Sequence, residues 1–144
     1  MAHAFQVTFD CRDPNGMSTF WAALLHYELQ PPPAGFDSWD AFLDSINVPA
    51  TERDKLSAVT DPDGKGARLL FQKVPEGKAV KNRVHLDVNV SGGFGVPVPE
   101  RKAAVEAEVR RAMGLGATVV ARHEADREYW VTMQDPEGNE FCLQ

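Results

Sequence analysis

Clustered positive charge is the first thing this sequence lacks. Lys and Arg number 15 against 21 Asp and Glu, for a net charge of −6, and the nearest approach to a basic cluster, Arg110-Arg111, falls within a helical pattern. Phosphate neutralisation needs clustered Lys and Arg, so nucleic acid is not an expected partner. Long apolar runs are missing too. No stretch approaches the ~20 residues that cross a bilayer, and no membrane partner is expected. Cysteine is scarce: Cys11 and Cys142 form neither a CxxC nor any zinc spacing. The opening Met-Ala-His-Ala-Phe carries no charged region followed by an apolar run. Both cysteines are therefore expected as reduced thiols of a cytoplasmic protein.

What is present is ordinary for a globular chain: 144 residues, 43% apolar and 25% charged, enough for one domain or for two small modules that share a core. Residues 4–11 alternate, with Phe5, Val7, Phe9 and Cys11 on one side and Gln6, Thr8 and Asp10 on the other, which predicts a strand with one apolar face. Asp13-Pro14-Asn15-Gly16 breaks it and offers a helix cap. Met17, Phe20, Trp21, Leu24 and Leu25 then predict a helix over 16–28. Pro31-Pro32-Pro33 stops that element. Residues 31–55 read as an insertion holding a short amphipathic helix around Trp39, Phe42, Leu43 and Ile46, and a second helical start at Pro49.

Strands are expected at about 56–60 and 67–74, and over 82–90, where Val84, Leu86, Val88 and Val90 alternate with Arg83, His85, Asp87 and Asn89. A second helix, about 99–113, shows Val105, Val109, Ala112 and Met113 on one face. Strands at about 117–122, 127–134 and 139–143 complete the chain. The order strand, helix, strands is thus written twice. Asp61-Pro62-Asp63-Gly64 and Asp135-Pro136-Glu137-Gly138 stand before the last strand of each half. Two such turns at matching places point to a duplication.

The Asp-Pro after the opening strand, Phe20-Trp21-Ala22-Ala23-Leu24-Leu25 and the closing Asp135-Pro136-Glu137-Gly138-Asn139-Glu140-Phe141-Cys142-Leu143 together resemble the glyoxalase / bleomycin-resistance (vicinal oxygen chelate) family. Leu70-Phe71-Gln72-Lys73-Val74-Pro75-Glu76 and Asn82-Arg83-Val84-His85-Leu86-Asp87-Val88 resemble its glyoxalase-like branch. The resemblance implies an α+β fold in a single domain, 1–144. It implies one βαβββ module over about 4–75, carrying the 31–55 insertion, and another over about 81–144. Their sheets would curl into an incomplete barrel with helices outside and a cup-shaped pocket inside. A homodimer is a further implication.

Helices must cover the apolar face of each sheet, so the opposite faces would line the cup. That assigns Gln6, Thr8 and Asp10, then Arg68, Leu70 and Gln72, then His85 and Asp87, and finally Trp130 and Cys142 to the lining. His85 is the leading candidate for chemistry, as a ligand, proton acceptor or hydrogen-bond donor. Asp10 and Asp87 are candidate acids or bases. Trp130 is a surface for stacking a planar ligand. His3, His26 and His123 have no partner pattern and read as surface residues.

Metal-dependent relatives hold a divalent ion through four residues, one on each opening and closing strand. Carried over, these places fall on Gln6, His85, Cys142 and, through the internal repeat, Leu70. Leu has no lone pair, and a thiol in place of the usual Glu suits a hard ion poorly. No cofactor is therefore expected, and the leading expectation is a glyoxalase-like protein that binds a small organic molecule without the family's metal. The alternatives are a metal-dependent lyase, isomerase or ring-cleaving dioxygenase using a divalent ion on Gln6, His85 and Cys142, or a ligand-free dimerisation module.

Overall fold

The computed structural model describes residues 1–144, which form two compact units, Met1–Gly77 and Lys78–Gln144. The first runs β1 (Val7–Cys11), α1 (Pro14–Leu25), β2 (Glu28–Leu29), α2 (Trp39–Ser45), a 3-10 turn (Ala50–Glu52), β3 (Leu56–Thr60) and β4 (Leu69–Lys73). The second runs β5 (Asp87–Val88), α3 (Val98–Gly114), β6 (Thr118–Ala125), β7 (Glu128–Gln134) and β8 (Glu140–Leu143). The fold is α+β, built from two βαβββ modules, each with a mixed four-stranded sheet. The strand orders are β1-β4-β3-β2 and β5-β8-β7-β6. In both sheets the opening strand is an edge that runs parallel to the closing strand, and the remaining pairs are antiparallel.

Local chemistry sets these elements. The Asp13 side chain caps α1 by accepting from Gly16 N at 3.1 Å, and Pro14 supplies a first helical residue that needs no donor. A Cβ at Gly16 would stand 2.4 Å from Asp13 Oδ2, so a side chain there would have to displace the capping carboxylate. The two Asp-Pro turns are the same device. Asp61 Oδ1 accepts from Asp63 N, and Asp135 Oδ1 accepts from Glu137 N. The glycine amides Gly64 N and Gly138 N both donate back to the Asp carbonyl at 2.9 Å. Gly64 and Gly138 take φ of +68° and +87°, where a side chain is strained.

Apolar burial follows the alternation. In the first unit Phe9 stands between Trp21 and Phe71, with ring centroids 5.2 and 5.1 Å away, and Met17, Val59 and Leu69 complete the core under α1. Buried Ser18 is satisfied by accepting from the Ser57 hydroxyl at 2.7 Å and donating to Asn15 O at 3.0 Å. In the second unit Val105, Val109 and Ala112 of α3 are buried, as are Val131, Met133, Phe141 and Leu143 of the sheet. Burial of this kind supplies most of the stability of such modules. Neither cysteine is in a disulfide, and both are buried. No helix is long and apolar enough to cross a membrane.

Several details differ from the sequence reading. The strand expected over 82–90 pairs only at Asp87–Val88, flanked by bonds from Cys142 N to Leu86 O and from Val90 N to Gln144 O. Its one partner, β8, is four residues long, so Arg83, Val84 and His85 have no ladder. Asn82 N donates to the Glu140 carboxylate instead, at 2.9 Å, and Val84 is exposed. Met113, expected on the buried face of α3, is exposed in its last turn, and Phe5 lies exposed ahead of β1. β2 is only two residues long and gave no periodic signal. The 31–55 insertion forms its own aromatic cluster of Phe36, Trp39 and Phe42, with Trp39 Nε1 donating to Gln30 O at 2.7 Å.

Candidate functional site

Strand pleating turns alternate residues of each sheet away from its helix, and most of those residues are polar. In the first unit the row is Gln6, Thr8 and Asp10 beside Arg68, Leu70 and Gln72, with Thr8 paired across from Leu70 and Asp10 from Gln72. This row closes on itself. Arg68 donates to Gln6 Oε1 and to Gln30 Oε1, both at 2.7 Å. Gln72 Nε2 donates to Asp10 Oδ1 at 2.7 Å. Gln6 Nε2 lies 3.4 Å from the Thr8 hydroxyl.

The second unit repeats the register with other residues. Asp87 pairs across from Cys142, as Thr8 does from Leu70, so His85 occupies the place of Gln6 and Cys142 the place of Leu70. Gln144 Nε2 donates to Asn89 Oδ1 at 2.8 Å, reproducing the Gln72–Asp10 bond. Ahead of Asn89 in the same row stand His85 and Asp87, with Nε2 and Oδ1 3.1 Å apart. Ligand atoms of His85, Asp87 and Cys142 all lie within 4.8 Å of one another.

These three residues sit on the wall of a pocket of about 740 Å³. Asn89 and Gln144 continue that wall, Glu128, Tyr129 and Trp130 come from β7, and the loop from Ser91 to Phe94 and Arg101 of α3 complete the lining. Burial pushes the Cys142 thiol above its ordinary pKa and the Asp87 carboxylate adds to the rise, while the Thr132 hydroxyl, 3.6 Å from Sγ, opposes it. The thiol is thus protonated at neutral pH, the form least suited to nucleophilic attack. Trp130 is half-buried and stacks on His123, with ring centroids 4.9 Å apart and planes 13° from parallel. His123 also lies 3.1 Å from the Thr132 hydroxyl, so it is a supporting residue of the Trp130 face rather than a bare surface histidine.

Of the residues that sequence reasoning singled out, His85, Asp87, Trp130 and Cys142 share this pocket. Gln6, Thr8, Asp10, Arg68, Leu70 and Gln72 make up the row of the first unit. Sequence reasoning missed Phe94, Tyr129 and Arg101. For Arg101 the signal was there: it is in helical phase with Val105, Val109 and Ala112, and all four are buried.

The family's four-place metal set does not fit this chain. The Leu70 place offers no donor atom, and Gln6 Oε1 already accepts from the Arg68 guanidinium, whose charge repels a cation. The His85, Asp87 and Cys142 trio is a different set, one imidazole, one carboxylate and one thiol, which is chemistry of the zinc type.

The family model of the glyoxalase-like domain matches residues 6–144. No curated protein sequence matches the chain significantly. Among solved structures, a glyoxalase/bleomycin resistance protein/dioxygenase family enzyme from Burkholderia phytofirmans is similar with a TM-score of 0.62 at 20% identity, over 96% of this chain and 94% of that one. The fosfomycin resistance protein FosX from Listeria monocytogenes, complexed with Mn(II) and a dihydroxypropylphosphonic acid, matches with a TM-score of 0.63 at 11% identity, over 100% of this chain and 90% of that one. FosX from Mesorhizobium loti matches at 0.61 and 12% identity, over 99% and 91%. At these identities the solved structures speak for the fold alone. The family model, which spans nearly the whole sequence, settles the membership: this chain belongs to the glyoxalase-like domain family.

Proposed function

We propose that the chain binds a small organic molecule in the pocket of its second unit, with the His85–Asp87 pair as the proton-handling group and without the family's metal. The single observation that carries this is the placement of that pair, 3.1 Å apart, on the wall of a 740 Å³ pocket that also presents the face of Trp130. That volume is within the usual range for small-molecule sites, which combine apolar walls with a few directed polar groups. A carboxylate beside an imidazole orients the ring and fixes which nitrogen faces the ligand, which equips His85 to accept a proton from a bound ligand or to donate a hydrogen bond to it. A FosX structure of the same fold holds a small organic acid, which supports a small molecule as the occupant. We place the protein in the cytoplasm, and we expect a homodimer of twice the 15.9 kDa chain mass. Each sheet's face opposite its helix carries exposed residues such as Thr8 and Asp87, which a second copy could cover. Sedimentation tests that directly, and a monomer at micromolar concentration would remove the dimer.

The test of the pocket is a ligand-detected NMR screen of metabolites and antibiotics against wild type, Trp130→Ala and His85→Gln. Hits should lose affinity in Trp130→Ala, and any hit that is turned over should still bind His85→Gln but no longer react. A screen whose hits ignore both substitutions would overturn the assignment.

A second reading is favoured by the 4.8 Å grouping of His85, Asp87 and Cys142: a zinc-type ion held by the trio, as in a metal-dependent lyase, isomerase or dioxygenase. Elemental analysis of protein purified without chelators decides it. A stoichiometric ion in wild type that is absent from both His85→Ala and Cys142→Ser would establish this reading in place of the first, and an ion content unaffected by either would dismiss it.

A further inference from the structure

Arg101 is the one charged side chain in the second unit that is both buried and short of partners. It is 8% exposed. One terminal amino group donates to the Arg127 carbonyl, and the guanidinium carbon stands 5.5 Å from the centre of the Phe94 ring. Its Nε–H has no hydrogen-bond partner, and no carboxylate lies within ion-pair distance of it. A guanidinium has five N–H donors and a fixed positive charge. Burying it costs several kcal/mol unless acceptors compensate, and one carbonyl with one ring face compensates only in part. This same side chain lines the pocket of His85 and Trp130.

We propose that the pocket selects small organic acids, with Arg101 as the counter-ion of a ligand carboxylate; this rests on the small-molecule reading above and names its ligand class. An incoming carboxylate offers the acceptors the guanidinium is missing, in the planar geometry that pairs best with it. Phe94, 78% exposed although it lines the pocket, and Trp130 offer apolar surface for the rest of the ligand. The pocket's own acids are Asp87, paired with His85, and Glu128, which is exposed. Both disfavour a ligand of high negative charge, so the ligand is a monoanion with a flat or apolar body.

Matched probes test this. Phenylacetate, benzoate and indole-3-acetate are titrated against their primary amides, which keep the shape and lose the charge, with wild type, Arg101→Met and Arg101→Lys. The acids should bind at least tenfold more tightly than the amides. Arg101→Met should weaken the acids at least tenfold and leave the amides unchanged, with Arg101→Lys in between. In wild type the Arg101 Nε–H resonance should shift on adding an acid and not an amide, a readout that stands even if Arg101→Met fails to fold by circular dichroism. Acids and amides of equal affinity, or an unmoved Nε–H resonance, would overturn the inference and leave the small-molecule reading standing. Binding by neither series would bring down both.

Discussion

Replacing Glu140 with Gln keeps the shape of the first residue of β8 and removes one charge. The Glu140 side chain is 11% exposed, with Lys78 Nζ 3.2 Å away and Asn82 N at 2.9 Å. Burial pushes its carboxyl pKa up, but the Asn82 N–H, its own backbone N–H and the Lys78 ammonium together outweigh burial and hold it at about 2, against an ordinary 4.5. A carboxyl lowered in the folded state stabilises the fold above its unfolded pKa, and that stabilisation fades as pH falls from 4.5 through 2. The gap between the two values corresponds to about 3 kcal/mol at neutral pH, of which about 2 kcal/mol is gone by pH 3. In Glu140→Gln the new amide oxygen can still accept the Asn82 N–H, so the two proteins should converge once the wild-type carboxyl is protonated. Urea unfolding of wild type and Glu140→Gln at pH 7, 5, 4 and 3 reads this directly. The stability difference should be largest at pH 7 and shrink toward about 1 kcal/mol at pH 3. A difference that stays constant across that range would refute the electrostatic account of this residue.

Other substitutions probe other links. Phe141 is fully buried, so Phe141→Ala should cost about 3–5 kcal/mol in urea unfolding; a cost under about 1 kcal/mol would mean the core of the second unit is not packed as described. Gly138→Ala forces a side chain to φ +87° and should lower stability by about 1–2 kcal/mol. Gly114→Ala, in open space at the end of α3, should be neutral or stabilising by up to about 1 kcal/mol, and equal thermal shifts in the two variants would contradict the turn geometry. Cys142, raised by burial and by Asp87, should react with iodoacetamide at pH 7 more slowly than glutathione does. Asp87→Asn should speed that reaction, and mass spectrometry of the labelled peptide would show a fast Cys142 in wild type if the thiol is in truth activated.

The sequence read well wherever one physical rule dominated. Phe9 stands between polar Thr8 and Asp10, and Leu69 and Phe71 are the buried alternates of β4, because one face of their sheet is buried; that alternation predicted which side Asp10 and Gln72 would take. The paired Asp-Pro turns were legible because an Asp side chain and a positive-φ glycine are each needed at a fixed offset. Where tertiary partners decide, the sequence misled. Val84 alternates as well as Val88 does, yet β8 is too short to reach it, and an edge residue without a ladder partner has nothing to bury against. His123 carried no motif because its partners, Trp130 and Thr132, are assembled by the β6–β7 pairing and not by local spacing. Arg101 was passed over because a charge is expected to leave a helix's apolar face, whereas its phase with Val105 placed it there.

The two halves repeat one register, and that makes the difference between them informative. In the first unit every polar member of the row is answered by a neighbour: Arg68 serves Gln6 and Gln30, and Gln72 serves Asp10. The place opposite Thr8 is filled by Leu70, which has no chemistry. In the second unit the place of Arg68 falls to Glu140, whose carboxylate is drawn off to Asn82 and Lys78. Without an arginine spanning the row, His85 keeps only Asp87 as its ionic partner, and the place of Leu70 holds a thiol. A duplicated scaffold needs its register in both copies, but a ligand-facing row in only one. The closed network of the first unit is what a copy kept for structure looks like, while the histidine, carboxylate and thiol of the second are grouped on the wall of a pocket. The binding site proposed above accordingly draws all its residues from 78–144.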